Sequence, residues 1–251
     1  MTKATRWFAG LIATTCVIVG CGASSTVAPS TLCTLRALHG PYGSQRNGTT
    51  APGTLITAVG LATFDGNGNL AESQTISTNG TFSSVKGQVS RYTVNADCTG
   101  TLIDSNGTVV ENLVVVHDGD EVLGESTVPG SSSSLHYERI TGTCSLATIA
   151  GTYGVQRNGV TKNGTLLAIG TTTFDGVGGS VASQVIDRAG VFGAPTNQSG
   201  PYSVNPDCTG SQMDPTGVAV APLVIVAGGD EILAMSLTAG NNVVVHFERV
   251  K

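Results

Sequence analysis

The chain has 251 residues, enough for one large domain or two of ordinary size. Charged residues make up 12% and aromatics 5%, 34 residues are glycine, and the net charge is a mild −5. That balance excludes the dense Lys/Arg footprint of a nucleic-acid binder, and the regular Val/Ile/Leu runs exclude a disordered chain. Gly, Thr, Ser, Val and Asn-Gly pairs dominate over Lys, Glu and Gln, which predicts an all-β fold.

The chain opens MTKATRWFAGLIATTCVIVGCGASS, with Lys3 and Arg6 ahead of an apolar run from Trp7 to Val19. The run is short for a transmembrane span and has the layout of a secretory signal. It ends Ile18-Val19-Gly20-Cys21, which resembles the lipobox of bacterial lipoproteins. The resemblance implies a signal peptide over 1–20 and a mature chain lipidated at Cys21. Such a chain is anchored to a membrane of the bacterial cell envelope, expected to be the outer membrane on its periplasmic or surface face. The alternative is an ordinary signal cleaved near Ala23. Residues 21–32, small, polar and proline-containing, are expected to be a flexible tether.

Everything beyond the tether is written twice. GPYGSQRNG (Gly40–Gly48) returns as GTYGVQRNG (Gly151–Gly159), TFDGNG (Thr63–Gly68) as TFDGVG (Thr173–Gly178), and YTVNADCTG (Tyr92–Gly100) as YSVNPDCTG (Tyr202–Gly210). GDEVL (Gly119–Leu123) and HYER (His136–Arg139) return as GDEIL (Gly229–Leu233) and HFER (His246–Arg249). Order is kept and the offset drifts by one residue, so the chain is a tandem duplication with modules over 33–141 and 144–251. The period is too long for a solenoid.

Within the first module, short alternating runs predict strands near Tyr42–Arg46, Leu55–Phe64, Leu70–Ser77, Gln88–Val94, Thr99–Ile103, Val109–His117, Glu121–Val128 and Leu135–Ile140. The segments DGNGN, TNG, SNG and DGD between them have hairpin chemistry. CTLRALHG and CSLATIAG predict a short helical turn stopped by glycine before each first strand. Eight antiparallel strands in such a length suit an up-and-down barrel or a tight sandwich, and the barrel leaves no exposed edge. The expected fold is therefore two tandem eight-stranded antiparallel barrels.

The leading G-x-Y-G, the meander and the closing E-R resemble the lipocalin or calycin plan, in which a last-strand arginine covers a first-strand aromatic. An allene oxide cyclase-like barrel resembles the pattern equally. FDGxG, YxVNxDCTG and H-x-ER together resemble the repeat unit of small secreted bacterial proteins of unknown function.

Cys16 falls within the signal, which leaves Cys33, Cys98, Cys144 and Cys208 beyond the anchor. Because each copy had to fold alone before fusion, duplication selects Cys33–Cys98 and Cys144–Cys208 from the three possible pairings. Export places them in an oxidising compartment. No Cys-x-x-Cys or paired His accompanies them, so no metal is expected.

The recurring polar set is Tyr42, Arg46, His136, Glu138 and Arg139, matched by Tyr153, Arg157, His246, Glu248 and Arg249. Period two puts His136 and Glu138 on one strand face and Tyr137 and Arg139 on the other. Two readings stay open: a pocket in which Arg and His hold a polar head group, or a buried network that plugs the barrel end. Asp120-Glu121 and Asp230-Glu231 read as hairpin tips, and Asp65–Asn69 as a turn rather than a calcium loop. LVVVH (Leu113–His117) and LVIVA (Leu223–Ala227) are continuously apolar, so these strands are expected to line the barrel inside and to meet the sister module, or another subunit, outside.

No nucleophile elbow, Walker loop, zinc-protease helix or dinucleotide fingerprint occurs, and no cofactor is expected. The leading expectation is a non-enzymatic envelope protein that binds a small apolar or amphiphilic ligand or an envelope partner. The alternative is a cyclase- or isomerase-like enzyme built on the Tyr/Arg/His/Glu set. Few aromatics argue against carbohydrate adhesion.

Overall fold

The computed structural model describes residues 33–251, so the expected signal peptide, Cys21 and tether lie outside the described residues. A 3-10 turn at Leu35–Ala37 leads into β1 (His39–Ala51), β2 (Thr54–Asp65), β3 (Asn69–Thr78), β4 (Thr81–Val94), β5 (Thr99–Ile103), β6 (Val109–Val116), β7 (Glu121–Ser126) and β8 (Ser132–Arg139). Each strand pairs antiparallel with the next, and β8 returns to β1 with Arg139 opposite Tyr42, closing an eight-stranded barrel.

The second copy begins with a 3-10 turn at Leu146–Ile149. It continues through β9 (Gly151–Thr161), β10 (Gly164–Phe174), β11 (Gly179–Arg188), β12 (Val191–Phe192), β13 (Thr196–Val204), β14 (Thr209–Met213), β15 (Ala219–Val226), β16 (Glu231–Met235) and β17 (Asn242–Arg249). Pairing of β10 with both β9 and β11 closes this ring as well. Here β12 and β13 replace an unbroken β4. Pro195 stands where the first copy has Val85, and proline has no N–H to give a ladder.

All eight expected strands of the first copy form, several of them longer than the alternating runs. β4 starts at Thr81, not Gln88: Thr81–Val85 pairs with β3, but the stretch is mostly exposed and its residues carry little alternation to announce a strand. Turn chemistry is as the residues require. Asp65 Oδ1 accepts the amides of Asn67 (2.7 Å) and Asn69 (2.9 Å), and Asp175 Oδ1 accepts those of Val177, Gly178 and Gly179. Those carboxylates are spent on backbone N–H groups, which accounts for the repeated FDG without a cation.

Cys33 bonds Cys98 and Cys144 bonds Cys208, with Cα atoms 5.0 and 4.9 Å apart. On a chain-entropy basis a loop of this length is worth about 4 kcal/mol. The bridges suit an oxidising environment outside the cytoplasm. Among the described residues, no helix is long and apolar enough to cross a membrane.

The barrels pack side against side, with unlike faces in contact. The outer face of β1 and β2 on the first barrel meets the outer face of β15, β16 and β17 on the second. A Cβ added at Gly43 would lie 2.5 Å from Val226 Cγ1 and 2.9 Å from Val224 Cγ1, so the close approach depends on glycine. Gln45 Nε2 donates to the carbonyls of Ala234 (2.9 Å) and Val245 (3.1 Å). Ser77 Oγ donates to Asn241 O, Asn242 Nδ2 donates to Ser77 O, and Gly240 N–H donates to Gly80 O. Val59, Leu61 and Phe82 join the second barrel's apolar cluster.

This packing splits the expectation for the two apolar runs. Leu223, Val224, Ile225 and Val226 are all buried, half facing the barrel interior and half facing the sister module. In the first copy no sister covers the outside, so β6 alternates and Val114 is 44% exposed. Replacing Gly43 with Val should lower stability by about 1–3 kcal/mol through overpacking of the junction. The matched Gly154→Val, whose added Cβ meets only Glu248 O at 3.8 Å, should cost less than about 0.5 kcal/mol in thermal unfolding of dilute protein.

Candidate functional site

One end of each barrel is closed. Phe64 packs edge-on to Tyr42, Tyr92 and Tyr137 at 5.0–5.4 Å, and Phe174 packs against Tyr153 and Tyr202 at 5.6 and 5.0 Å. Arg139 lies 4.7 Å over the Tyr42 ring and Arg249 lies 4.8 Å over Tyr153. The Arg139 guanidinium donates to the carbonyls of Ala37 and Gly119 and to Asp120, and Arg249 donates to Thr148, Gly229 and Asp230. Tyr42 and Tyr153 donate to Gly119 O and Gly229 O, and burial pushes both phenols up to about 12. These four residues lock the 3-10 turn and the Gly-Asp-Glu hairpin onto the barrel end.

Farther in, the first barrel holds a polar network. Arg46 is ion-paired to Glu111 and donates to Ser133 Oγ at 3.3 Å. Tyr137 OH (3.2 Å) and Gln74 Nε2 (2.8 Å) both donate to Glu72 Oε1, and Gln74 also reaches Ser44 Oγ at 3.2 Å. Glu72, Glu111, Ser44 and Ser133 are all buried. Burial, with Glu111 adding to it and Arg46 opposing, lifts Glu72 to about 7. The interior arginine of this barrel is matched by an acid, whose second oxygen, Glu111 Oε2, is buried without a hydrogen-bond partner.

The second barrel keeps the arginine and loses its partners. Position by position, Glu72 becomes Ala182, Glu111 becomes Ala221, Tyr137 becomes Phe247 and Ser133 becomes Val243, while Arg46 remains as Arg157. A cavity of about 690 Å³ opens here, with Ala182, Ala221 and Phe247 in its wall. Its wall includes Arg157, Gln184, Arg188, Gln212, Ile186 and Phe247. Lys162 adds a third cation to the wall and Asp214 is its one acid. Arg157 Nε is shielded from solvent and has no hydrogen-bond partner. Burial, and then the neighbouring Arg188, pulls the Arg157 pKa down. A buried donor without a partner is costly, so the arrangement favours an oxygen acceptor supplied from outside the barrel wall.

His136 and Glu138 face neither interior. They lie on the outer surface of the first barrel, where His136 Nε2 is 2.9 Å from Glu121 Oε1 and 3.7 Å from Glu138 Oε2. Glu121 also meets His117 Nδ1 at 2.9 Å. Partial burial, with Glu231 of the second barrel and Glu121 adding to it, raises Glu138 to about 7. Glu121, His136 and Glu138 each offer one atom within 4.8 Å of the others, the one grouping among the described residues with the layout to hold a divalent cation. In the second copy His246 pairs with Glu231 at 3.0 Å and Glu248 is exposed. The hairpin acids are thus more than solvated turn residues: Asp120 reaches the barrel end and Glu121 the outer cluster.

The ten candidate residues therefore separate into three places. Tyr42, Arg139, Tyr153 and Arg249 serve the closed ends, Arg46 and Arg157 the interiors, and His136, Glu138, His246 and Glu248 the outer surfaces. Glu72, Glu111, Arg188 and Gln212 stand outside the expected set because the two copies differ there, and Gln184, the counterpart of Gln74, because a lone glutamine in a strand carries no motif. For the first four the signal lies in the difference between the copies.

No family model matches the chain, and no curated protein matches it. Among solved structures, the chain is similar to a protein of unknown function of the DUF3598 family from Nostoc punctiforme. Identity is 12%, coverage is 87% of this chain and 99% of that one, and the TM-score is 0.27. Kievitone hydratase from Nectria haematococca is similar at 10% identity, covering 90% of this chain and 95% of its own, also with a TM-score of 0.27. Superpositions this loose carry no inference about chemistry.

The Glu72 carboxyl provides a pH test of the first interior. Its folded pKa of about 7 exceeds the ordinary 4.5, so the folded barrel holds a proton that the unfolded chain releases. The stability this contributes is full below about 4.5 and is lost as pH rises through about 7. Melting temperature should fall across that window, and Glu72→Gln should make the fall shallower, with Glu138, also raised to about 7, keeping the remainder.

Proposed function

We propose that this is a lipid-anchored protein of the bacterial cell envelope whose second barrel takes up a small amphiphile with an anionic head group. The reading rests on one observation: Arg157 lies in the wall of a roomy cavity from which both copy-one carboxylates have been replaced by alanine. The volume falls within the range of small-molecule sites, about 300–1,000 Å³. Leu166, Ile186, Val245 and Phe247 give the ligand's apolar part a surface, while Arg157 provides a charge-assisted contact for its head. Arg188 and Lys162, exposed on the same wall, favour approach of an anion. In this reading the first barrel is a filled support. The lipobox-like Ile18-Val19-Gly20-Cys21 supplies the anchor, and the oxidising compartment implied by the disulfides agrees with export.

A fluorescent long-chain fatty acid and its alcohol analogue test the pocket. The acid should bind more tightly than the alcohol, and Arg157→Gln should weaken the acid by about ten- to a hundredfold while sparing the alcohol. Ala221→Glu, which restores the copy-one counter-charge, should abolish binding of the acid. Equal binding of acid and alcohol, or an indifferent Arg157→Gln, would remove the head-group assignment. For the anchor, radiolabelled palmitate should be incorporated into the native chain and not into Cys21→Ser.

A further inference from the structure

The contact between the barrels joins two different faces, so each barrel also carries the face it does not use. On the second barrel the unused face is the outside of β9 and β10. There Gly154, Gln156, Ile169 and Phe192 stand in the places of Gly43, Gln45, Val59 and Phe82. Ile169 is 69% exposed and Phe192 is 76% exposed, although their first-barrel counterparts pack against the sister module. A shallow groove of about 470 Å³ runs over Gly154, Gln156 and Ile169. On the first barrel the unused face is the outside of β6 and β7. Val114, Val116 and Leu123 hold the places of Val224, Val226 and Leu233, and Leu123 is 46% exposed. The backbone contact of Gly240 with Gly80 has its counterparts in Gly130 and Gly190, both at positive φ like the originals.

We propose that a second copy of this chain is the partner: the β9–β10 face of one copy docks on the β6–β7 face of the next, repeating the contact that joins the two barrels. Val114 and Val116 of the incoming copy would seat over Gly154, where a Cβ-free strand again allows close approach. Gln156 would donate to main-chain carbonyls between β7 and β8, as Gln45 does between β16 and β17. Such a contact is heterologous, so each added copy presents a fresh face and association is head-to-tail.

The repeat is weaker than the original for two reasons. Thr171 replaces Leu61 and Glu125 replaces Met235, which makes the free faces more polar than the internal pair. The internal pair also profits from the high effective concentration imposed by the three residues Thr141-Gly142-Thr143, which an incoming copy lacks. Association is therefore reversible and concentration-dependent.

Complementary blocking tests the arrangement. With the full chain purified in mild detergent, the protein mass per particle should rise with concentration beyond one chain. Leu123→Asp disables one face and Ile169→Asp the other, so each variant alone should be a single chain, with association weakened by about tenfold or more. Mixed in equal amounts, the two variants should form two-chain particles, because each retains the face the other lacks. Unchanged melting curves identify both as folded, as expected for exposed positions. A native chain that stays single at every concentration overturns the proposal. So does association that survives in either variant, or a mixture that remains single.

Discussion

An arginine carried inside a closed sheet has to be met by negative charge or by other oxygen acceptors, since the apolar wall offers a guanidinium nothing to bond. The duplicated QRNG phrase places such an arginine in both barrels. The first answers with Glu111, and with Glu72 held in reserve by Tyr137 and Gln74. In the second, Ala182 and Ala221 stand in the places of those acids and form part of the cavity wall. One shared arginine, faced by two acids in the first barrel and by two alanines in the second, sets the two interiors apart.

Around that difference the shared parts change little. The tyrosine–arginine stack, the carbonyls of the Gly-Asp-Glu hairpin and the aromatic cluster recur at nearly the same distances in both copies. Each closes the end of its barrel at which the disulfide also lies against the 3-10 turn. The opposite end is freer to diverge, and there Pro195 interrupts the strand that stays whole as β4. Rigidity at one end thus permits change at the other.

Much of this was legible in the amino-acid sequence. Alternation and Asn-Gly or Asp-Gly turns located all eight strands of the first copy, and the duplication selected both cysteine pairs. The stacking of Arg139 on Tyr42 was implied by the resemblance to the calycin plan, and a plugged barrel end was one of two open readings. What could not be read was the assignment of strand faces: the His-x-Glu pair could have pointed in or out until the ring closed with Tyr137 inside. The packing between barrels was also hidden, because LVVVH and LVIVA look alike although only one of them is covered. The differences of Glu72 from Ala182 and of Glu111 from Ala221 are written in the sequence, but only the face assignment turns them into a cavity wall. Shared residues report what holds a fold, and unshared ones report where copies part company.

The two sulfur bridges follow one another along the chain without crossing, spanning 65 and 64 residues. Neither loop encloses a cysteine of the other pair, so each ring closes or opens on its own account. One bridge can be reduced while the other still spans its own copy, and loss of a covalent closure stays local to the barrel that suffers it.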